Sequence, residues 1–417
     1  MTANPRPSPA AAPPDATRRS RLLRALALMG PAFVVGAWQF GPGNLTSAIE
    51  AGGRFGYALI WVIVVSTLLM TVFTDMSVRI GLASPGSVVD SIKQRLGHAW
   101  GVLAGCGVFL ITLMFSVGNA VGSGLGLSML FGGPPVAWTL ACTVLVAVLL
   151  LTRDYYRRFE KVLLLTVVVM GIGFLLAAIL SGPSWPEVGR GVVPTVPDGV
   201  GLLLVAMVGT NFSVNAAFYA GYTIRERGID RSRYRETTLS DTIPGIAAPG
   251  LMTIMVIVAS AAVAQRTGTA AGSAGELSGV LESVAGPAGG YVFAAGFTAA
   301  AFSSMLANAT AGGTLLADGL GWGSGLGGRR VRGLILVILG FGLAVAALAS
   351  GSPVQLIITA QALTVVVAPF LGLVILLLAN HRGLMGDLRN RWWHNLLGAA
   401  GWLGILAVCA SLAVEVL

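Results

Sequence analysis

The sequence predicts an all-α integral membrane protein of eleven transmembrane helices: a 5+5 inverted repeat with helices 1 and 6 broken, plus helix 11. Three observations carry this prediction. Of 417 residues, 55% are hydrophobic and only 10% charged. The apolar residues gather in eleven runs, and the basic residues crowd into alternate connections between them. Two of the runs, the first and the sixth, are interrupted in mid-span by polar and helix-breaking residues.

Soluble domains carry about 25% charged residues. A chain this poor in charge, with a mean hydropathy of +0.83, has too little polar surface to cover itself in water, which excludes a soluble enzyme. A membrane-crossing helix needs roughly 20 apolar residues, so the hydrophobic content of about 230 residues suffices for about eleven such helices and little else. The lipid bilayer is therefore the chain's main partner. Net charge is +9, from 26 basic and 17 acidic residues. The basic residues sit between apolar runs rather than along one face, which argues against nucleic acid as a partner. Cys106, Cys142 and Cys409 lie in separate apolar runs without metal-ligand spacing and read as small core residues. No nucleophile–base pair, P-loop or metal-binding cluster emerges, so neither an enzyme nor a cofactor is expected.

Residues 1–17 are rich in Pro and Ala, lack an apolar period, and read as a disordered cytoplasmic tail. Residues 18–417 read as a single transmembrane domain. Apolar runs follow at about 27–50, 56–82, 99–131, 134–152, 160–181, 199–225, 238–264, 288–318, 330–350, 354–379 and 394–416. Helices 1–5 thus occupy 27–181, helices 6–10 occupy 199–379, and helix 11 occupies 394–416. With a cytoplasmic N-terminus, the inner segments hold 23 of the 26 basic residues, and the outer loops keep only Arg54, Arg190 and Arg266. This bias orients the chain in the plasma membrane, with an extracytoplasmic C-terminus. In helix 3, Gly118, Gly122 and Gly126 recur every four residues, which lets neighbouring backbones approach closely. Asp75 and Arg79, four apart, are expected to pair near the inner surface.

The first run contains Gly41-Pro42-Gly43-Asn44 in mid-span, where Pro removes an N–H and Gly tolerates open backbone. The sixth contains Gly209-Thr210-Asn211-Phe212-Ser213-Val214-Asn215, a polar cluster in an apolar run. The two are segments 1 and 6, at an offset of five, and an odd offset reverses orientation in the membrane. Five helices followed by five inverted ones is the plan of many secondary transporters, with the site at the broken helix of each half. Unwound carbonyls there suit a cation, and the N-terminus of a half-helix suits an anion. The substrate-binding candidates are Gly41, Gly43, Asn44, Thr210, Asn211, Ser213, Asn215 and Gln361. Glu50, Asp75, Asp241 and Asp318 lie towards helix ends, and His98, His381 and His394 flank loops, which leaves a neutral polar pocket.

The motifs resemble the NRAMP family, proton-coupled divalent-metal transporters with a LeuT-type fold. Gly30-Pro31 through Gly41-Pro42-Gly43-Asn44, then Ala51-Gly52 and Phe55-Gly56-Tyr57, are similar to the family's first helix and following turn. Phe159-Glu160-Lys161, Trp185 and Val193-Pro194 resemble its fifth helix and the loop after it. Ser303-Ser304 with Ala311-Gly312 resembles its eighth helix, Gln361 with Pro369-Phe370 its tenth, and Trp392 the start of its eleventh. The family's first-helix motif is Asp-Pro-Gly-Asn; here Gly41 stands in place of the aspartate. Its sixth-helix motif is Met-Pro-His; here the matching positions read Ser213, Val214 and Asn215. The acidic pair that the family associates with proton movement on helix 3 aligns with Ser116 and Asn119.

The resemblance implies divalent-cation transport, with Asn44, Ser213, Asn215 and Gln361 as candidate metal ligands. Oxygen ligands without a thioether suit a hard, hydrated ion of the Mg²⁺ class better than Mn²⁺ or Fe²⁺. The missing acidic pair implies that the usual proton coupling is absent. A small organic solute, such as an amino acid or carboxylate, remains open, because the N–H groups of Gly43 and Asn44 offer an electropositive spot with Trp38, Phe40 and Phe212 near by. A non-transporting receptor on the same fold is a third reading.

Overall fold

The computed structural model describes residues 38–151, 156–268, 274–325 and 327–416. The expected tail at 1–17 and the first part of helix 1, residues 27–37, lie outside them. Among the described residues the chain is helical, with turns and short connections and no strand. In lipid, each backbone polar group must be bonded within its own segment, which a continuous apolar helix achieves.

Helix 2 is Ile60–Ala83, helix 3 His98–Phe131, helix 7 Ile243–Thr267, helix 8 Pro287–Gly319, helix 9 Arg329–Leu348 and helix 11 Trp392–Val416. With the two halves of helix 6, Gly201–Asn211 and Val214–Glu226, they account for seven spans long and apolar enough to cross a membrane. The pair Pro353–Val366 and Ala368–Ala379 forms helix 10 and makes an eighth. Helix 4, Pro135–Leu151, and helix 5, Tyr156–Leu180, contain shorter apolar stretches, and Pro42–Phe55 is the described half of helix 1. This set is consistent with the eleven expected crossings.

Helix 10 departs from the expected plain helix. It is bent by 42° between Val366 and Ala368. Pro369 has no N–H for the carbonyl four residues earlier, and its ring crowds that turn. The preceding turn, Thr364–Val366, tightens to a 3₁₀ form, and the Thr364 hydroxyl donates to the Gln361 carbonyl at 2.7 Å. Among the described residues, helices 1, 6 and 10 are thus interrupted.

Helices 3 and 8 pack against each other most extensively, and helices 4, 5 and 9 lean on that pair. On the other side, the described half of helix 1 packs on helix 7, and the second half of helix 6 on helix 2. The first half of helix 6 meets helix 10, which also touches helix 3. The two groups thus meet where helices 1, 6 and 10 are interrupted. Two glycines of the helix 3 stripe lie at this junction: Gly118 faces Gln361 of helix 10 and Gly122 the Pro42 ring of helix 1, while Gly126 packs on Thr298 of helix 8.

A short helix, Val88–Arg95, joins helices 2 and 3. It starts with a reciprocal cap in which Ser87 Oγ accepts from Asp90 N at 2.9 Å and Asp90 Oδ2 accepts from Ser87 N at 3.2 Å. Arg225, near the end of helix 6, donates to the carbonyls of Ser84, Pro85 and Gly86 and so covers the open carbonyl end of helix 2.

Candidate functional site

The break in helix 1 is built by Gly41, whose backbone is extended (φ −83°, ψ −177°), before Pro42 opens the next helical turn. Proline is well placed there, because its missing N–H is one that a first turn leaves unbonded anyway. Ser304 of helix 8 donates to the Trp38 carbonyl at 3.0 Å, satisfying an end group of the first half of the helix. The break in helix 6 is built by Phe212 (φ −95°, ψ 65°) and Ser213 (φ −79°, ψ 81°), between helical Asn211 and Val214. Neither half-helix beginning at a break carries a side-chain cap.

Amide side chains join the two breaks. Asn44 Nδ2 donates to the Gln39 carbonyl at 3.3 Å and approaches Asn211 Oδ1 at 3.5 Å. Gln39 Nε2 donates to Asn211 Oδ1 at 3.2 Å and also to the Asn211 main-chain carbonyl. Asn211 Nδ2 in turn donates to Ser66 Oγ at 2.7 Å and Thr67 Oγ1 at 2.9 Å on helix 2. Helices 1, 2 and 6 are thereby linked through one buried asparagine.

Gln361 enters from helix 10. Its amide is wedged between Gly43 of helix 1 and Gly118 of helix 3, and both glycines are required for the fit: a Cβ on either would collide with the Gln361 side chain. Both amide atoms of Gln361 are buried without a hydrogen-bond partner among the described residues, and the same holds for Asn215, Gln39 Oε1, Asn44 Oδ1 and Asn119 Nδ2. Buried polar groups are nearly always bonded, so such groups near the breaks call for a ligand or water to complete them.

The remaining expected site residues have other surroundings. Thr210 turns its hydroxyl back onto its own helix, donating to Ala206 O at 3.0 Å. Ser213 is buried in the bend itself. Ser116 bonds Leu113 O at 2.7 Å and faces Gly342 of helix 9, whereas Asn119 keeps its free buried amide nitrogen. Trp38 packs edge-on against Tyr219 and Phe212 against Phe73, so both rings take part in helix packing.

Carboxylates lie away from the breaks. Glu50 pairs with Arg54 at 2.8 Å. Asp75 receives Arg79 Nε at 2.9 Å, the expected pair, but also Tyr234 Oη at 2.8 Å and Thr238 Oγ1 at 3.3 Å, with His394 Nε2 3.8 Å away. Asp75 is eight residues from the end of helix 2, about 12 Å inside it at 1.5 Å per residue. Asp318, near the end of helix 8, accepts from Tyr222 of helix 6. Among the described residues no group of three His, Cys, Asp or Glu side chains is placed to hold a metal ion.

Sequence reasoning missed Gln39, which lies between two aromatic residues just outside the Gly-Pro-Gly-Asn motif. A buried-side amide two residues before the break was the available signal. It also missed Ser304 as the group that closes the Trp38 carbonyl.

Comparison with known proteins agrees with this architecture. A family model described as natural resistance-associated macrophage protein-like (Nramp) matches residues 32–415. The chain is similar to the divalent metal cation transporter MntH of Deinococcus radiodurans, with 25% identity over 409 residues covering 94% of this chain and 91% of the relative. MntH of Mycobacterium tuberculosis H37Rv is 27% identical over 409 residues, with the same coverage of 94% and 91%. Among solved structures, the Eremococcus coleocola manganese transporter bound to an aromatic bis-isothiourea compound superposes with a TM-score of 0.73 at 18% identity, covering 96% of this chain and 87% of that one. MhsT in complex with L-phenylalanine superposes with a TM-score of 0.64 at 18% identity, covering 91% and 98%. These likenesses show a multi-pass, all-α membrane fold of the LeuT type. The chain belongs to the Nramp family.

Proposed function

We propose that this protein is a secondary transporter that carries a divalent cation through the breaks in helices 1 and 6, at a site built from neutral oxygens. Family membership and the relatives named as divalent metal and manganese transporters support the substrate class. One observation carries the site: buried amide groups without partners among the described residues on helices 1, 6 and 10, namely Asn44 Oδ1 and both amide atoms of Asn215 and Gln361. With no carboxylate, imidazole or thioether in the described segments 38–44 and 209–215, such a site suits a hard ion that keeps several waters, of the Mg²⁺ class and, more weakly, Mn²⁺. Ser116 and Asn119 do not titrate in the physiological range, so the cation moves by uniport or with another coupling ion. The charge bias supports a cytoplasmic N-terminus and a C-terminus outside the plasma membrane.

A second reading has its own observation. Asn119 Nδ2, Asn215 Nδ2 and Gln361 Nε2 are donors without a partner among the described residues, and a small organic solute with both donors and acceptors would satisfy them. Thermal unfolding of the purified protein with MgCl₂, MnCl₂, CaCl₂, amino acids and small carboxylates separates the two readings, because a ligand specific to the folded state raises its apparent stability. The cation reading expects stabilisation by a metal salt that disappears in Asn44→Ala. Stabilisation by an organic solute alone would overturn it.

A further inference from the structure

Gln39 has a geometry that the site described above does not explain. Its side chain is buried, and its amide nitrogen donates to both oxygens of one residue, the main-chain carbonyl and Oδ1 of Asn211. Asn211 is the last residue of the first half of helix 6. Its carbonyl therefore belongs to the set that a helix end leaves without an internal partner, and it stands at the negative end of the half-helix dipole. An amide N–H₂ at this point, carrying partial positive charge, takes the place that a cation would favour. The other end of the same amide, Oε1, is buried with no hydrogen-bond partner among the described residues.

We propose that Gln39 determines cation affinity and selectivity as a tethered stand-in for the ion, and that loading requires its terminal amide to turn over. The terminal torsion of glutamine is broad and roughly two-fold, so a half-turn exchanges nitrogen for oxygen with little change elsewhere. In one orientation Nε2 closes the two Asn211 oxygens. In the other, Gln39 Oε1 joins them, and three neutral oxygens face one point, with water completing the shell of a hard cation. Without a cation this second orientation sets Oε1 against the Asn211 oxygens and is unfavourable; with a cation between them it becomes favourable. Asn44 Nδ2, which touches the Gln39 carbonyl and approaches Asn211 Oδ1, holds the backbone of this switch in place. The inference rests on the cation reading of the site and names the residue that makes it selective.

The test is calorimetric titration of purified wild type, Gln39→Glu and Asn44→Ala with MgCl₂ and with MnCl₂. Glutamate has no N–H₂ to close Asn211 and supplies a charged oxygen in its place. If wild type binds a cation, Gln39→Glu is expected to bind it at least roughly tenfold more tightly. Wild-type binding that is unchanged or weakened in Gln39→Glu overturns the role of Gln39 and leaves the cation reading intact. Binding in Gln39→Glu but not in wild type overturns the proposal together with the cation reading, because the introduced carboxylate alone then makes the site. Binding in neither overturns both. If Gln39→Glu does not elute as a folded, monodisperse protein, Gln39→Leu replaces it. That variant removes the oxygen ligand and should bind the cation at least about fivefold more weakly, and unchanged affinity overturns the proposal.

Discussion

A Cβ atom added to Gly43 of helix 1 would stand 2.5 Å from Cδ of Gln361 on helix 10, so the two helices meet at this pair with no room for a methyl group. The contact joins an interruption in helix 1 to the helix whose bend lies just beyond Gln361. It also holds an amide with two unpartnered atoms at a fixed place beside the break.

Gly43→Ala should therefore be costly to both packing and binding. Forcing an extra methyl into a filled site costs about 1–3 kcal/mol. The expected result is a lower unfolding temperature and loss of substrate stabilisation. Adding Gln361→Ala should restore much of the stability but none of the binding, which thermal unfolding with and without ligand would measure.

The contact between Tyr222 and Asp318 ties the second half of helix 6 to the end of helix 8. Tyr222→Phe leaves a buried carboxylate without its donor, at a cost of about 1–3 kcal/mol. Asp318→Asn keeps an acceptor for the phenol and should cost less. The order of the two unfolding temperatures is the check, and equal losses would count against the hydrogen bond as the link.

Asp75 and Arg79 form an ion pair enclosed by helices 2 and 11 and by the segment leading into helix 7. Arg79 is only 2% exposed and also donates to the Leu388 carbonyl at 2.8 Å. Removing one partner of a buried pair costs about 3–5 kcal/mol because the other charge is left uncompensated. Asp75→Ala should depress the yield of folded protein, and the double variant Asp75→Ala/Arg79→Met should recover part of it.

Ser116 faces helix 9 rather than the breaks. Ser116→Ala removes a hydroxyl bonded only to its own helix, at Leu113 O, and should leave transport within about twofold of wild type. Asn119→Ala removes a buried amide whose nitrogen has no hydrogen-bond partner among the described residues, and should change transport more. Parallel flux measurements on the two variants decide this.

Much of the fold was legible in the sequence because its determinants are local. Continuous apolar runs, the Gly-Pro-Gly-Asn break and the polar interruption at 209–215 each announce themselves within a few residues. The Asp75–Arg79 pair was legible for the same reason, four residues apart on one helix. Gln39 was not, because its meaning depends on Asn211, 172 residues away in sequence. The surroundings of Asp75 were hidden likewise, since Tyr234, Thr238 and His394 come from distant segments. The bend in helix 10 had a local signal in Pro369, but whether a proline bends a helix depends on whether neighbours satisfy the freed carbonyls, which only packing decides.

The most direct test of cation transport through a neutral site is flux into proteoliposomes carrying a metal-sensitive dye and, separately, a pH-sensitive dye. Wild type and Asn215→Ala would be compared with external MgCl₂ and MnCl₂. Metal entry is expected in wild type, at least roughly tenfold less in Asn215→Ala, with no acidification of the interior that follows the metal. Absence of metal entry in a well-folded wild type, or acidification in step with it, would rule out uncoupled cation transport through this site.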